Sequence, residues 1–249
     1  MNNLEEAAKY AKNVIEDWDF ALYDLRSISY DGVTFPNYVT YDNPETIWAF
    51  GKRNDLLKFT HDLMGDYGVK DHRVLINASD ELVDNYEDEG DLRKQFYLVP
   101  EYGKCVFLGE SIPSDDKFML ALRLSEAYLI LAEATAKIDP TIALNAVNEL
   151  RKKRISEEKY KDKSGLSGDE LLEFVRNERR RELCFEGHRW FDLRRYGMPS
   201  FTRVWKEGGV AAKWFTMEKE DAAYTLPISK EVMDRNPGLV QNRLGNPKY

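Results

Sequence analysis

Between Tyr30 and Tyr67 the sequence mixes aromatic rings with hydrogen-bonding side chains and turn formers. That mixture suits recognition of a polyhydroxylated ring. Tyr38, Tyr41 and Trp48 offer flat faces for the apolar side of a pyranose. Arg53, Asn54, Asp55, His61 and Tyr67 offer donors and acceptors for its hydroxyls, and the charged ones form the stronger bonds. Such chemistry is usually carried on loops, and Pro36, Asn37, Asn43 and Pro44 predict a loop here. The bland reading competes with this one. Residues 45–50 read as a short strand, and a tryptophan on a strand is more often core than platform. For Tyr38 and Tyr41, set among turn residues, both readings stay open.

A second constellation lies in Leu171 to Gly197. Ser167 and Glu170 have capping-box spacing, so a helix is expected from there to about residue 196. Leu172, Val175, Arg179, Leu183, Glu186 and Trp190 recur every three or four residues, which makes one face. Two charges inside that stripe predict a structural ion-pair network of Arg179 with Glu182 or Glu186. Glu186 and His188 could be read as an acid–base pair. Residues two apart on a helix point in different directions, so the structural reading is preferred.

Composition removes whole classes of function. The chain has 249 residues, 43% apolar and 32% charged, which is globular rather than disordered. Its net charge of −8 argues against nucleic acid, and the basic run Arg151–Arg154 closes a predicted helix where cations suit the dipole. No apolar run reaches the roughly 18 residues of a membrane span. Cys105 and Cys184 define neither a disulfide framework nor a metal site, and whether they pair stays open. His61, His72 and His188 lack ligand spacing, so no metal and no cofactor is expected. A glycoside hydrolase would need two carboxylates about 5 to 10 Å apart, and no spacing among 44 acidic residues marks such a pair.

The remaining pattern is helical with interruptions. Leu4, Ala8, Ala11, Ile15, Trp18 and Leu22 predict an amphipathic helix over 1–25. Residues 27–113 form the loop region, with short strands at 45–50 and 105–108 and a capped helix near Leu82–Tyr86. A helical hairpin follows over 115–155: a helix from Phe118 to Ile138, apolar on more than one face, then a second opened by Asp139-Pro140. It has the length of one tetratricopeptide unit. Residues 197–249 read as a loop pinned by Trp205 and Trp214, then a short helix capped by Ser229 and stopped at Asn236-Pro237.

The run ERRRELCFEGHRWFDLRRYG resembles the signature helix of the SusD/RagB family of outer-membrane nutrient-binding lipoproteins. LRLSEAYLILAEA with ALNAVNELRKKR, the segment from Ser79 to Leu98, and LPISKEVMDRNPGLVQN resemble further family blocks in the family's order. The resemblance implies a single domain over 1–249, mainly α, a tetratricopeptide-like scaffold with long irregular loops and few short strands. It implies a non-catalytic oligosaccharide binder, a lid on a SusC-like TonB-dependent transporter at the cell surface. The alternative is a helical-repeat scaffold that binds proteins or peptides, including peptide nutrients. Members are about twice this long, so the chain is expected to be the C-terminal part of a lipoprotein, with the N-terminal half as a partner. Residues 1–25 show neither a signal region nor an early cysteine for lipid attachment. No specific contact residue is carried over from the family.

Overall fold

A computed structural model describes residues 3–28, 43–50, 78–86, 90–101, 104–107, 120–184, 186–205 and 212–242. They group into two compact units, Met1–Gly187 and His188–Tyr249, each taken by itself below.

The first unit is built on four helices: α1 (Leu4–Asp17), α4 (Leu124–Thr135), α5 (Pro140–Lys152) and α6 (Gly168–Glu182). Short elements lie between α1 and α4 in the chain: β1 (Thr46–Phe50), α2 (Asp80–Asp84), α3 (Leu92–Tyr97), β2 (Leu98–Glu101), β3 (Lys104–Phe107) and β4 (Leu120–Arg123). Helix α4 packs against α1, α5 and α6, and is apolar around most of its circumference as expected. Its contacts use small side chains. Ala11, Ala132, Ala136, Ala143 and Ala146 share the core with Val147, Leu171 and Val175, and alanines let helix axes approach closely. The α4–α5 hairpin is the tetratricopeptide-like unit, and Asp139 caps α5 by accepting from Thr141 and Ile142.

Several expected elements end elsewhere, each for a local reason. Helix α1 stops at Asp17 rather than near 25, because Glu16 and Asp17 place negative charge at the negative end of the helix dipole. Trp18, which follows the helix, is extended, and a 3-10 turn comes at Leu25–Ser27. Leu120–Arg123 is a strand, not the first turn of a helix; its alternating residues pair antiparallel with β1. β2 and β3 likewise form an antiparallel pair. Ser167 is the N-cap of α6 but makes no side-chain cap bond, so the capping box is not formed.

The long signature helix is two helices. α6 ends at Glu182, turns follow at Leu183, Cys184, Glu186 and Gly187, and α7 (Arg189–Arg195) belongs to the second unit. Gly187, at φ 81°, adopts a left-handed conformation that glycine takes without strain. The second unit continues with β5 (Phe201–Trp205) antiparallel to β6 (Lys213–Met217), then α8 (Lys230–Arg235). β5 pairs with β6 residue for residue, so the expected loop is a hairpin. Its root is fixed by Tyr224, buried between Trp190, 5.2 Å away, and Phe201, 6.2 Å away. Trp205 and Trp214 are exposed and do not pin it. Ser229 caps α8 as expected, accepting from Val232.

Leu150 is sealed against Leu129 and Leu183. Leu150→Ala is expected to cost about 3 kcal/mol and lower Tm by about 10 °C. Ile138→Ala, at a residue 71% exposed, should leave Tm nearly unchanged in the same melt.

Candidate functional site

The most elaborate side-chain constellation in the first unit is a buried ionic network. The face of α6 that carries Leu171 and Val175 continues, one turn at a time, into Glu178 and Glu182. The Glu182 carboxylate accepts from Arg123 at 2.6 Å, from Arg154 at 2.9 and 3.0 Å, and from Arg93 at 3.1 Å. Three elements other than α6 supply those guanidiniums: the last residue of β4, the turn after α5, and α3. Glu178 pairs with Arg93 and Arg181, each at 2.6 Å. Arg93 also forks onto Asp91 at 2.9 and 2.6 Å, and Arg123 forks onto Glu186 at 3.0 and 2.6 Å.

Glu45, just before β1, joins the same network. It accepts from Arg154 at 2.5 Å and from Arg123 at 3.3 Å, and its other bond ties down the Tyr23 amide. Asn43 accepts from the Glu45 amide, an Asx turn that sets the approach to β1. On the far side, Gly90 places Asp91. Its φ is +87°, and an added Cβ would lie 2.5 Å from Ser156 Oγ and 2.9 Å from Lys159 Cβ.

The charges balance: Arg93, Arg123, Arg151, Arg154 and Arg181 against Glu45, Asp91, Glu178, Glu182 and Glu186. Burial alone would raise the Glu182 carboxyl, but Arg154, Arg123 and Arg93 outweigh it and hold it well below the usual carboxylate range. Glu178 behaves alike. Burial pushes up, Arg93, Arg181 and Arg151 pull down, and the result is about 2 against an ordinary 4.5. A general acid or base works best with a pKa near the working pH, so neither carboxylate is poised for proton transfer at neutrality. The network is a structural lock.

Arg179, Glu182 and Glu186, expected to pair along one helix face, act mainly between elements. Arg179 meets Glu126 of α4 at 2.7 Å, and the partners described for Glu182 and Glu186 come from β4, α3 and the α5 turn. Glu186 lies beyond the end of α6, which removes it from the face that was expected to carry it. Arg151 and Arg154 are buried in the network rather than solvated at a helix end.

Trp48 is displayed, 57% exposed, opposite Leu122, itself 48% exposed. The core reading of this tryptophan is overturned, because the strand pair presents that face to solvent. Tyr38, Tyr41, Arg53, Asn54, Asp55, His61 and Tyr67 lie outside the described residues. Cys184 is a free, buried thiol, pushed up to about 12 by burial and 3.5 Å from the Tyr86 hydroxyl. Among the described residues no group of three or more His, Cys, Asp or Glu is placed to hold a metal ion, and no helix is long and apolar enough to cross a membrane.

Sequence reading missed Glu45, Arg93, Arg123, Arg151, Arg154 and Glu178 as network members. Helical phase carried a signal. Arg151 follows Val147 by four, Arg154 follows Leu150 by four, and Glu178 follows Val175 by three, so all extend apolar faces.

Glu182→Gln leaves buried guanidiniums uncompensated and should cost about 4 kcal/mol, a Tm drop of about 10 °C or more in a melt at pH 7. Arg179→Ala should lower Tm by several degrees without altering ligand affinity. The depressed carboxyls stabilise the fold above their ordinary value of 4.5, and that contribution fades as pH falls toward about 2. Stability should therefore be flat between about pH 5 and 7, then fall, and the fall should be shallower in Glu182→Gln.

Residues 113–249 match the profile of the SusD family. The SusD-like protein P2 of Formosa agariphila is 32% identical over 136 residues, which is 52% of this chain and 26% of that protein. A SusD superfamily protein from Parabacteroides distasonis superposes with TM-score 0.66 at 18% identity, over 96% of this chain and 57% of its own. Surface glycan-binding protein A from Bacteroides uniformis does so with TM-score 0.59 at 21% identity, over 96% of this chain and 56% of its own. The chain thus spans little more than half of each solved structure and a quarter of the curated relative. With more than half of its residues under that profile and this helical scaffold, the chain belongs to the SusD family.

Proposed function

We propose that this chain is part of a non-catalytic receptor that captures oligosaccharides at the outer-membrane surface and passes them to a SusC-like TonB-dependent transporter. Family membership supports the class, and a relative of the same fold is described as a surface glycan-binding protein. The single observation that carries the reading is Trp48. Its strand is held at the base by Glu45 in the ionic lock, and the indole is an exposed aromatic face. Rigid aromatic faces stack on pyranose rings with little entropy to lose. In this reading Trp48 works with Tyr38, Tyr41, Arg53, Asn54, Asp55, His61 and Tyr67, and residues 1–249 act as one domain. Capture is an equilibrium selected by shape and stacking, with no bond made or broken.

A second reading, capture of a peptide, draws on a groove of about 370 Å³ between α1, α4 and α5. Ala8, Ile15, Tyr128, Leu131, Ile142 and Ala146 give it an apolar floor, which fits an apolar side chain better than a sugar. In the first reading this helical face meets the transporter or the further residues that longer relatives carry.

Native gels cast with a panel of plant, host and microbial glycans test the two. Wild type should be retarded by at least one glycan. Tyr41→Ala with Tyr67→Ala, and Trp48→Ala separately, should each weaken that retardation about fivefold or more. Retardation unchanged in both variants would remove the site, and binding to peptides alone would favour the second reading.

A further inference from the structure

The β5–β6 hairpin has a chemistry of its own, apart from Trp48. Its register places Trp205 directly opposite Lys213 and Arg203 opposite Phe215. Alternation puts Phe201, Arg203, Trp205, Lys213, Phe215 and Met217 on one face, and Thr202, Val204, Trp214 and Thr216 on the other. The 2.8 Å contact between the Thr202 and Thr216 hydroxyls confirms that second face.

The first face divides along its length. At the root, Phe201 packs on Tyr224, and the Arg203 guanidinium lies 4.8 Å over the Phe201 ring. This half serves folding. At the other end Trp205 is 53% exposed and Lys213 is exposed beside it. Opposed residues on one face have Cβ atoms about 5 Å apart, close enough for the ammonium and the indole to meet one ligand. β5 and β6 carry two basic residues and no acidic one, in a chain whose net charge is −8.

An apolar partner surface would gain nothing from that local charge. A neutral sugar would use the ring and leave the Lys213 ammonium idle. A pyranose bearing a carboxylate or sulfate uses both: its apolar face covers the indole, and its anion meets Lys213. We propose that the Trp205–Lys213 end of this hairpin is a second carbohydrate-contact site, selective for acidic sugars. The proposal rests on the glycan-receptor reading but assigns the charge preference to a different part of the chain from Trp48.

The test uses the full chain in native gels cast with soluble starch, with polygalacturonate (carboxylate) and with a carrageenan (sulfate). Wild type, Trp205→Ala, Lys213→Gln and Trp214→Ala are compared, and melts show that each variant is folded. Wild type should be retarded in at least one acidic gel, and which one identifies the anion. Trp205→Ala and Lys213→Gln should each weaken that retardation about fivefold, and Trp214→Ala, on the opposite face, should not. Added salt should weaken it further in wild type than in Lys213→Gln. Wild-type mobility of Trp205→Ala and Lys213→Gln in the acidic gels overturns the hairpin site and leaves the receptor reading standing. So does retardation of wild type by neutral glycans alone. No retardation of wild type in either acidic gel likewise overturns the hairpin site, while the receptor reading is decided by the wider glycan panel.

Discussion

The carboxylate of Glu182 is sealed from solvent and receives guanidiniums from β4, α3 and the turn after α5, and the arrangement of the first unit depends on that convergence. A buried carboxylate without partners would be severely destabilising, as would any one of the buried arginines. Each charge is tolerable only with the others in place, so the network favours an all-or-none geometry. Its members come from distant parts of the sequence, and together they fix the ends of β4, α5 and α6 and the start of α3. The alanine-rich helical core supplies cohesion, while the network supplies register.

That division of labour bears on function. The helical scaffold alone would leave β1 as half of a two-stranded ladder, and isolated ladders of that size are marginal in water. Glu45 anchors the start of β1 through Arg154 and Arg123, and Arg123 itself ends the partner strand β4. Trp48 therefore stands three residues beyond an anchored carboxylate, on the strand that pairs with β4. In the proposed receptor reading, such preorganisation would add affinity, since less freedom is lost on binding. The same lock withdraws Glu178 and Glu182 from acid–base work, because their pKa values are tuned for permanent charge.

How much of this the sequence disclosed follows the distinction between local and non-local physics. The caps at Asp139 and Ser229, the α4–α5 hairpin and the β1 strand were legible because neighbours in sequence decide them. The break after Glu182 was missed because a regular stripe ran on through Trp190, although Gly187 was there to end it. Leu120–Arg123 looked helical because its strand partner, β1, lies far away in sequence. Arg151 and Arg154 read as part of a basic run closing a helix. Only their phase on apolar faces hinted at burial, and nothing local names Glu182 as the partner of Arg154. For the candidate site, Trp48 was picked out by residue type, but its exposure depends on the ladder with β4.

Amide hydrogen exchange on folded Glu182→Gln tests the central claim most directly. The Leu25 amide donates to Lys153, Leu92 to Arg154 and Leu124 to Glu45, so three elements report on the lock from their backbones. If Glu182 is the common tie, these three amides lose protection together, along with the end of α6. Loss of protection confined to α6, with Leu25, Leu92 and Leu124 protected as in wild type, would contradict the account.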